Sequence, residues 1–290
     1  MKKPDLLLLA GIVVCISTSA TLVRVAAPAP ALLIAFGRIA IAAVVLFLLR
    51  LRSVVTAARA IDRRTFGLSL LAGTFLGAHF ALWVTSVFAT SLVASVLLVA
   101  LQPPFIALGS AVALREPPSR RVLSGLALGG AGALLLAFEP DAAGGHSRAG
   151  DLFALGGAVM TAAYVVCGRG AREKLPLDLY TTLVYGTATA VLGTLVLAND
   201  VPVLGHGTVS YLAILGSALV PTLGGHTLVN YAVRRMPASR MSVVFLGEPV
   251  GASLLAWLVL GSAPGPFEAA GGAILLFGVA LALTERRSPG

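Results

Sequence analysis

The chain has 290 residues, 58% of them hydrophobic and only 11% charged, with a mean hydropathy of +0.95. Soluble domains carry about 25% charged residues, so this composition excludes an ordinary soluble domain and predicts an all-α membrane protein. A formal net charge of +9 and a pI near 10.4 would suggest nucleic acid in a soluble chain, but the placement of the cations points elsewhere.

An apolar run of about 20 residues crosses a hydrocarbon core of about 30 Å at 1.5 Å rise per residue. Ten such runs are expected, at about 6–26, 31–51, 66–88, 91–113, 122–138, 151–168, 178–197, 210–232, 239–260 and 267–284. The first begins "MKKPDLLLLAGIVV" and is followed by small residues, which imitates a signal peptide; the repeat argued below requires it to stay. It carries Ser17 and Thr21 on one face. The second contains Arg38, a cation that keeps its proton and must face a cavity, a carboxylate or free carbonyls. In the third, His79, Trp83 and Ser86 share a face suited to a cavity wall. The fourth holds Gln102 and Pro103 at mid-span, and the fifth is rich in glycine.

Tyr164 lies in the sixth span, and Thr181, Tyr185 and Thr189 share a face of the seventh. In the eighth, Thr222, His226 and Asn230 recur every four residues and form a polar stripe. The ninth contains Glu248 followed by Pro249. An acid at mid-span costs about 2.5–3.5 kcal/mol on insertion scales, and the proline frees a backbone carbonyl. Two adjacent penalties point to a working site, with Glu248 either titrating protons, binding a cation or pairing with Arg38. Cys15 and Cys167 lie in spans without metal-ligand spacing and read as free thiols; no cofactor is expected.

Eighteen of the 21 Lys and Arg fall at alternate connections, from Lys2 and Lys3 through Arg50 to Arg64, Arg115 to Arg121, Arg169 to Lys174 and Arg234 to Arg240, to Arg286 and Arg287. The positive-inside rule then places both termini in the cytoplasm, and the cations face anionic lipid rather than nucleic acid. Glu116, among arginines at that boundary, suits an ion pair that is structural or gating.

Sliding the chain by 146 positions superposes Asp5 on Asp151, Gly11 on Gly157, Pro103 on Pro249, Gly125 on Gly271 and Gly132 on Gly278; a shift of 147 superposes His79 on His226. Each half holds five spans, an odd number, so the second enters the membrane inverted. Residues 1–140 and 150–290 are thus expected as two inverted five-helix repeats, joined by "FEPDAAGGHSRAG", Phe138 to Gly150. Transporters built this way rock about a midplane site, and interrupted helices at matching positions, here Pro103 and Pro249, point to it. The glycines of spans 5 and 10 allow close helix approach, sealing either the two halves or a homodimer.

The segments "PALLIAFGRIAIAAVVLFLL" (Pro30 to Leu49), "LLVALQPPFIALGSAVALREPPSRRVLSGLALGGAGALLLA" (Leu97 to Ala137), "MSVVFLGEPVGASLLAWLVL" (Met241 to Leu260) and "EAAGGAILLFGVALAL" (Glu268 to Leu283) resemble the drug/metabolite transporter superfamily, specifically the ten-helix EamA-type exporters. The resemblance covers essentially the whole chain. It implies a cavity lined by spans 1–4 and 6–9, with spans 5 and 10 peripheral, and export of amino acids or related metabolites across the bacterial cytoplasmic membrane. The chain departs from the family where "GSAPG", Gly261 to Gly265, replaces an acid after span 9, and where span 7 lacks a counterpart to Arg38, which implies an asymmetric site.

The expected function is therefore a secondary transporter of a small organic solute, not an enzyme. A multidrug or other-metabolite carrier of the same fold is the alternative. A membrane enzyme and a passive channel stand behind these, since the chain has no H-E-x-x-H, G-x-S-x-G or P-loop motif. Candidate substrate and coupling residues are Glu248, Arg38, His79, Trp83, Gln102, His226, Asn230 and Tyr164, with Pro103 and Pro249 breaking helices. Proton coupling through Glu248 or the histidines is an open expectation.

Overall fold

The computed structural model describes residues 3–58, 61–114, 120–136, 138, 147–226, 228 and 238–283. Among these, all regular structure is helical: α1 Lys3–Val25, α2 Ala31–Ala58, α3 Arg63–Ala89, α4 Leu92–Val99, α5 Gln102–Leu114, α6 Arg120–Leu136, α7 Arg148–Lys174, α8 Leu177–Ala198, α9 Thr208–Ser217, a π-helix Ala218–His226 continuing α9, α10 Ala238–Leu260 and α11 Pro266–Leu283. Among the described residues, seven stretches are long and apolar enough to cross a membrane: Leu7–Val25, Ala31–Arg50, Arg63–Ala89, Leu92–Ala113, Arg148–Arg172, Leu177–Ala198 and Thr208–Gly225. Gly247–Leu260 and Pro266–Leu281 are apolar but shorter.

Polarity runs inside out. Leu48, Leu49, Leu197, Leu258, Val259 and Phe277 are exposed, whereas Ser17, Ser19, Arg38, Ser69, Ser86, Ser95 and Thr222 are buried. A lipid-facing surface must be apolar, and polar groups are affordable only where they meet one another. Ser86 and Ser95 meet at 2.7 Å and join α3 to α4, with Ser86 also donating to the Trp83 carbonyl at 2.7 Å. The threonine face of α8 instead bonds back to its own helix: Thr181 to the Leu177 carbonyl at 2.8 Å, and Thr189 to that of Tyr185 at 2.7 Å.

The principal helix pairs are α3 with α7 and α8, α6 with α11, α2 with α8, α1 with α10 and with the α9 segment, and α7 with α4 and α5. Glycine sets the closest of them. A Cβ on Gly132 would lie 2.5 Å from the Gly271 carbonyl oxygen, and one on Gly278 would lie 2.6 Å from that of Gly125. The glycine faces of α6 and α11 are thus spent against each other within one chain.

Both ends of the bundle are tied by polar contacts. At one end Arg50 pairs with Asp178 at 3.8 Å and Lys174 with Asp62 at 3.5 Å. At the other, Arg24 Nη1 donates to the Val87 carbonyl at 2.6 Å, and Thr90 donates to Asp151 at 2.8 Å. Glu268 accepts from the Gly265 backbone N–H at 3.0 Å and from Ser91, which is half of a capping box at the start of α11 with Pro266 in the first helical position. Gly261, at φ +69°, ends α10 in the left-handed conformation that glycine adopts without strain.

Candidate functional site

Pro103 was expected at a helix break, and the apolar stretch Leu92–Ala113 is divided beside it. The fourth span is two helices: α4 ends at Val99, and Gln102, Pro103 and Pro104 open α5, where missing N–H groups cost little. Pro249 does lie inside a helix, α10, and is buried. A third interruption went unremarked in the sequence reading. Pro221 sits inside the π-helix and supplies no N–H there, and the hydroxyl of Thr222 donates to the Ser217 carbonyl at 2.7 Å. A proline inside an apolar span was the available signal.

Thr222 leads to the centre of the site. Arg38 is 0% exposed, and its Nε and Nη2 donate to Thr222 Oγ1 at 3.2 and 2.9 Å, while Nη1 donates to Ser19 Oγ at 2.9 Å. The guanidinium lies over the rings of Phe80, 4.7 Å from its centroid, and Trp83, at 5.6 Å. Arginine suits this environment because its planar, weakly hydrated cation bonds along its edge and stacks on its face. Arg38 and Glu248 lie within electrostatic reach of each other but outside ion-pairing distance, so the direct pair considered from sequence does not form here.

His79 and Trp83 share the α3 face predicted for them. Their rings are parallel, with centroids 6.1 Å apart and an interplanar angle of 1°. His79 Nδ1 lies 2.9 Å from the Gly157 carbonyl and 2.7 Å from Thr161 Oγ1, both on α7. A carbonyl only accepts, so Nδ1 carries the proton and Nε2 is left as the acceptor of the neutral ring. Trp83 also packs on Gly157, where an added Cβ would lie 3.2 Å from Trp83 Cβ.

Glu248 is half-buried on α10, and its backbone carbonyl accepts from Ser17 Oγ at 3.2 Å. Tyr164 is half-buried on α7 and interacts with the Tyr180 hydroxyl. Gln102 is half-buried at the start of α5. His226 ends the π-helix, and its side chain, like Asn230, Tyr231 and Glu116, lies outside the described residues. The structure thus brings Arg38, His79 and Trp83 together with Thr222 of the polar stripe and adds Ser19 and Phe80, which the sequence did not single out.

This interrupted, polar-centred bundle can be compared with known proteins. Residues 148–284 match the EamA-like transporter family. A bacterial protein described as "Probable terminal-alkyne amino-acid exporter", from Streptantibioticus cattleyicolor, is 32% identical over 197 residues, covering 64% of this chain. The chain spans 62% of the length of that curated relative. A protein crystal structure superposes with a TM-score of 0.67 at 19% identity, covering 97% of both chains, which extends the fold likeness beyond the EamA-like half.

Proposed function

We propose that this chain is a secondary transporter that exports amino acids or related metabolites across the bacterial cytoplasmic membrane by alternating access. The observation that carries the reading is the EamA-like match over 148–284, and the relative described as an amino-acid exporter supports the substrate class. Ten spans in two inverted repeats, 1–140 and 150–290 with both termini cytoplasmic, complete it.

Helix packing supports the inverted repeat. Exchanging the halves turns the pairing of α3 with α7 into that of the α9 segment with α1, and α1 with α10 into α7 with the α4–α5 span; both members of each exchange occur. At finer scale, the 146-residue shift carries Gly125 to Gly271 and Gly132 to Gly278. It therefore converts the Gly132–Gly271 contact into the Gly278–Gly125 contact, and both are present. A pseudo-twofold axis running between α6 and α11 produces such exchange.

In this reading Arg38, His79, Trp83, Gln102 and Tyr164, with His226 and Asn230, line the solute path, and Glu248 is the coupling carboxylate. The test is flux from proteoliposomes loaded with a mixed panel of amino acids and small amines, read by mass spectrometry. Export that saturates and is accelerated by solute on the opposite side fits a carrier. Non-saturable flux without counterflow indicates a channel, and retention of every compound overturns the proposal.

A further inference from the structure

The centre of the site holds more hydrogen-bond donors than acceptors. Three of the five N–H groups of Arg38 are accounted for among the described residues, all by neutral hydroxyls. Trp83 is 6% exposed, and its Nε1–H is buried without a hydrogen-bond partner among the described residues. A buried donor left unmatched costs about 1–3 kcal/mol. The indole cannot turn away to relieve that cost, because His79 stacks on the ring, Arg38 lies over it and Gly157 packs beneath its Cβ. His79 is itself pinned to α7 through Gly157 and Thr161.

We propose that Trp83 Nε1 is a specificity-determining contact that donates to a carboxylate of the transported solute, the same carboxylate reaching the remaining N–H groups of Arg38. The inference rests on the transporter reading and deepens it. The guanidinium lies over the indole, 5.6 Å from the ring centroid, which puts the two donor groups in one neighbourhood, and the two oxygens of a carboxylate can each accept from a different donor. The group that fits only donors beside an unpaired cation accepts without donating and carries negative charge. A carboxylate does both. A matched amine, offering donors and positive charge, meets only repulsion and unmatched N–H groups.

Trp83→Phe keeps an aromatic ring for His79 and Arg38 and removes the N–H together with one ring of the indole, and any effect of the lost packing falls on acids and amines alike. The half-saturating concentration for L-norvaline, L-leucine and L-propargylglycine is expected to rise about 10- to 100-fold in proteoliposomes, with inhibition by the matched decarboxylated amines unchanged. An equal change for acids and amines, or no change for either, overturns the proposal.

A second measurement does not depend on that variant folding. The chain has two tryptophans, and Trp257 is 54% exposed on the outer surface of α10, so Trp257→Phe leaves Trp83 as the reporting indole. Its emission should shift saturably with the three carboxylates and not with the amines. No shift with a carboxylate that the liposomes transport overturns the site. A shift without flux leaves the site standing and sinks the transporter reading; flux without a shift or a changed half-saturation does the reverse.

Discussion

Arg38 and Thr222, 184 positions apart, are joined by two hydrogen bonds that tie α2 to the π-helix Ala218–His226. Thr222 Oγ1 accepts from Nε and Nη2 while donating to the carbonyl of Ser217, in a stretch where Pro221 supplies no N–H. One hydroxyl thus serves a buried cation and a carbonyl at once. Thr222→Val preserves shape and removes both services, so it should destabilise the folded protein by about 1–3 kcal/mol, measured by thermal unfolding in detergent micelles. Thr222→Ser should recover most of the loss. If valine is tolerated as well as serine, the bond pair is incidental to stability.

Glycine substitutions on α6 should divide sharply by face. A Cβ on Gly132 meets the Gly271 backbone at 2.5 Å and the Leu275 amide at 2.7 Å, neither of which can swing aside. Gly132→Ala should therefore part α6 from α11 and lower the melting temperature. Gly130 is exposed, with nothing within 4 Å of the same Cβ, so Gly130→Ala should gain about 0.5–1 kcal/mol from helix propensity. Melting curves of the two variants should move in opposite directions; equal movement would show that the pair is not close-packed in solution.

Asp62 supplies a pH test outside the spans. Its carboxylate accepts from the Thr65 hydroxyl at 2.7 Å and the Thr65 backbone N–H at 2.9 Å, with Lys174 a weaker neighbour. These contacts, the Thr65 hydroxyl first, hold its pKa down from the ordinary 3.8 to about 2. A depressed folded-state value means the cap's contribution is full above pH 3.8 and fades as pH falls toward 2. Thr65→Val should move the midpoint of the Asp62 carboxyl carbon resonance up toward the ordinary value. An unmoved midpoint would assign the depression to another group.

The sequence told most where the chemistry was expensive. Arg38, Glu248 and Pro249 stood out because a charge or a missing N–H in an apolar run requires compensation, and Arg38 indeed lies at the buried polar centre. The period of four put His79 and Trp83 on one face, as found. Thr222 was visible as part of a polar stripe but not as the partner of Arg38, and Ser19 was illegible, since a hydroxyl is unremarkable in a helix that tolerates it and its value comes only from tertiary placement. Pro103 lies in the first turn of α5, since a proline can open a helix as readily as interrupt one. The glycines of spans 5 and 10 carried both interface readings until their contact across α6 and α11 was in hand.

Glu248 carries the last prediction. It lies on α10 beside a buried proline, its carbonyl engaged by Ser17 of α1, and its side chain shares the electrostatic field of Arg38 without pairing to it. A carboxylate tied permanently to the guanidinium would be a structural strut; one held apart is free to exchange a proton as its access to water changes. Solute carboxylate and ionised Glu248 would also compete for the Arg38 guanidinium, so protonating Glu248 favours loading of an acidic group beside Arg38. Glu248→Gln mimics the protonated state. It should retain exchange of solute across the membrane but lose acceleration by an imposed pH gradient, read as efflux from the same proteoliposomes at matched and unmatched pH. Glu248→Asp should keep part of the gradient response. If the glutamine variant responds to the gradient as the parent does, the coupling group lies elsewhere and Glu248 serves the fold.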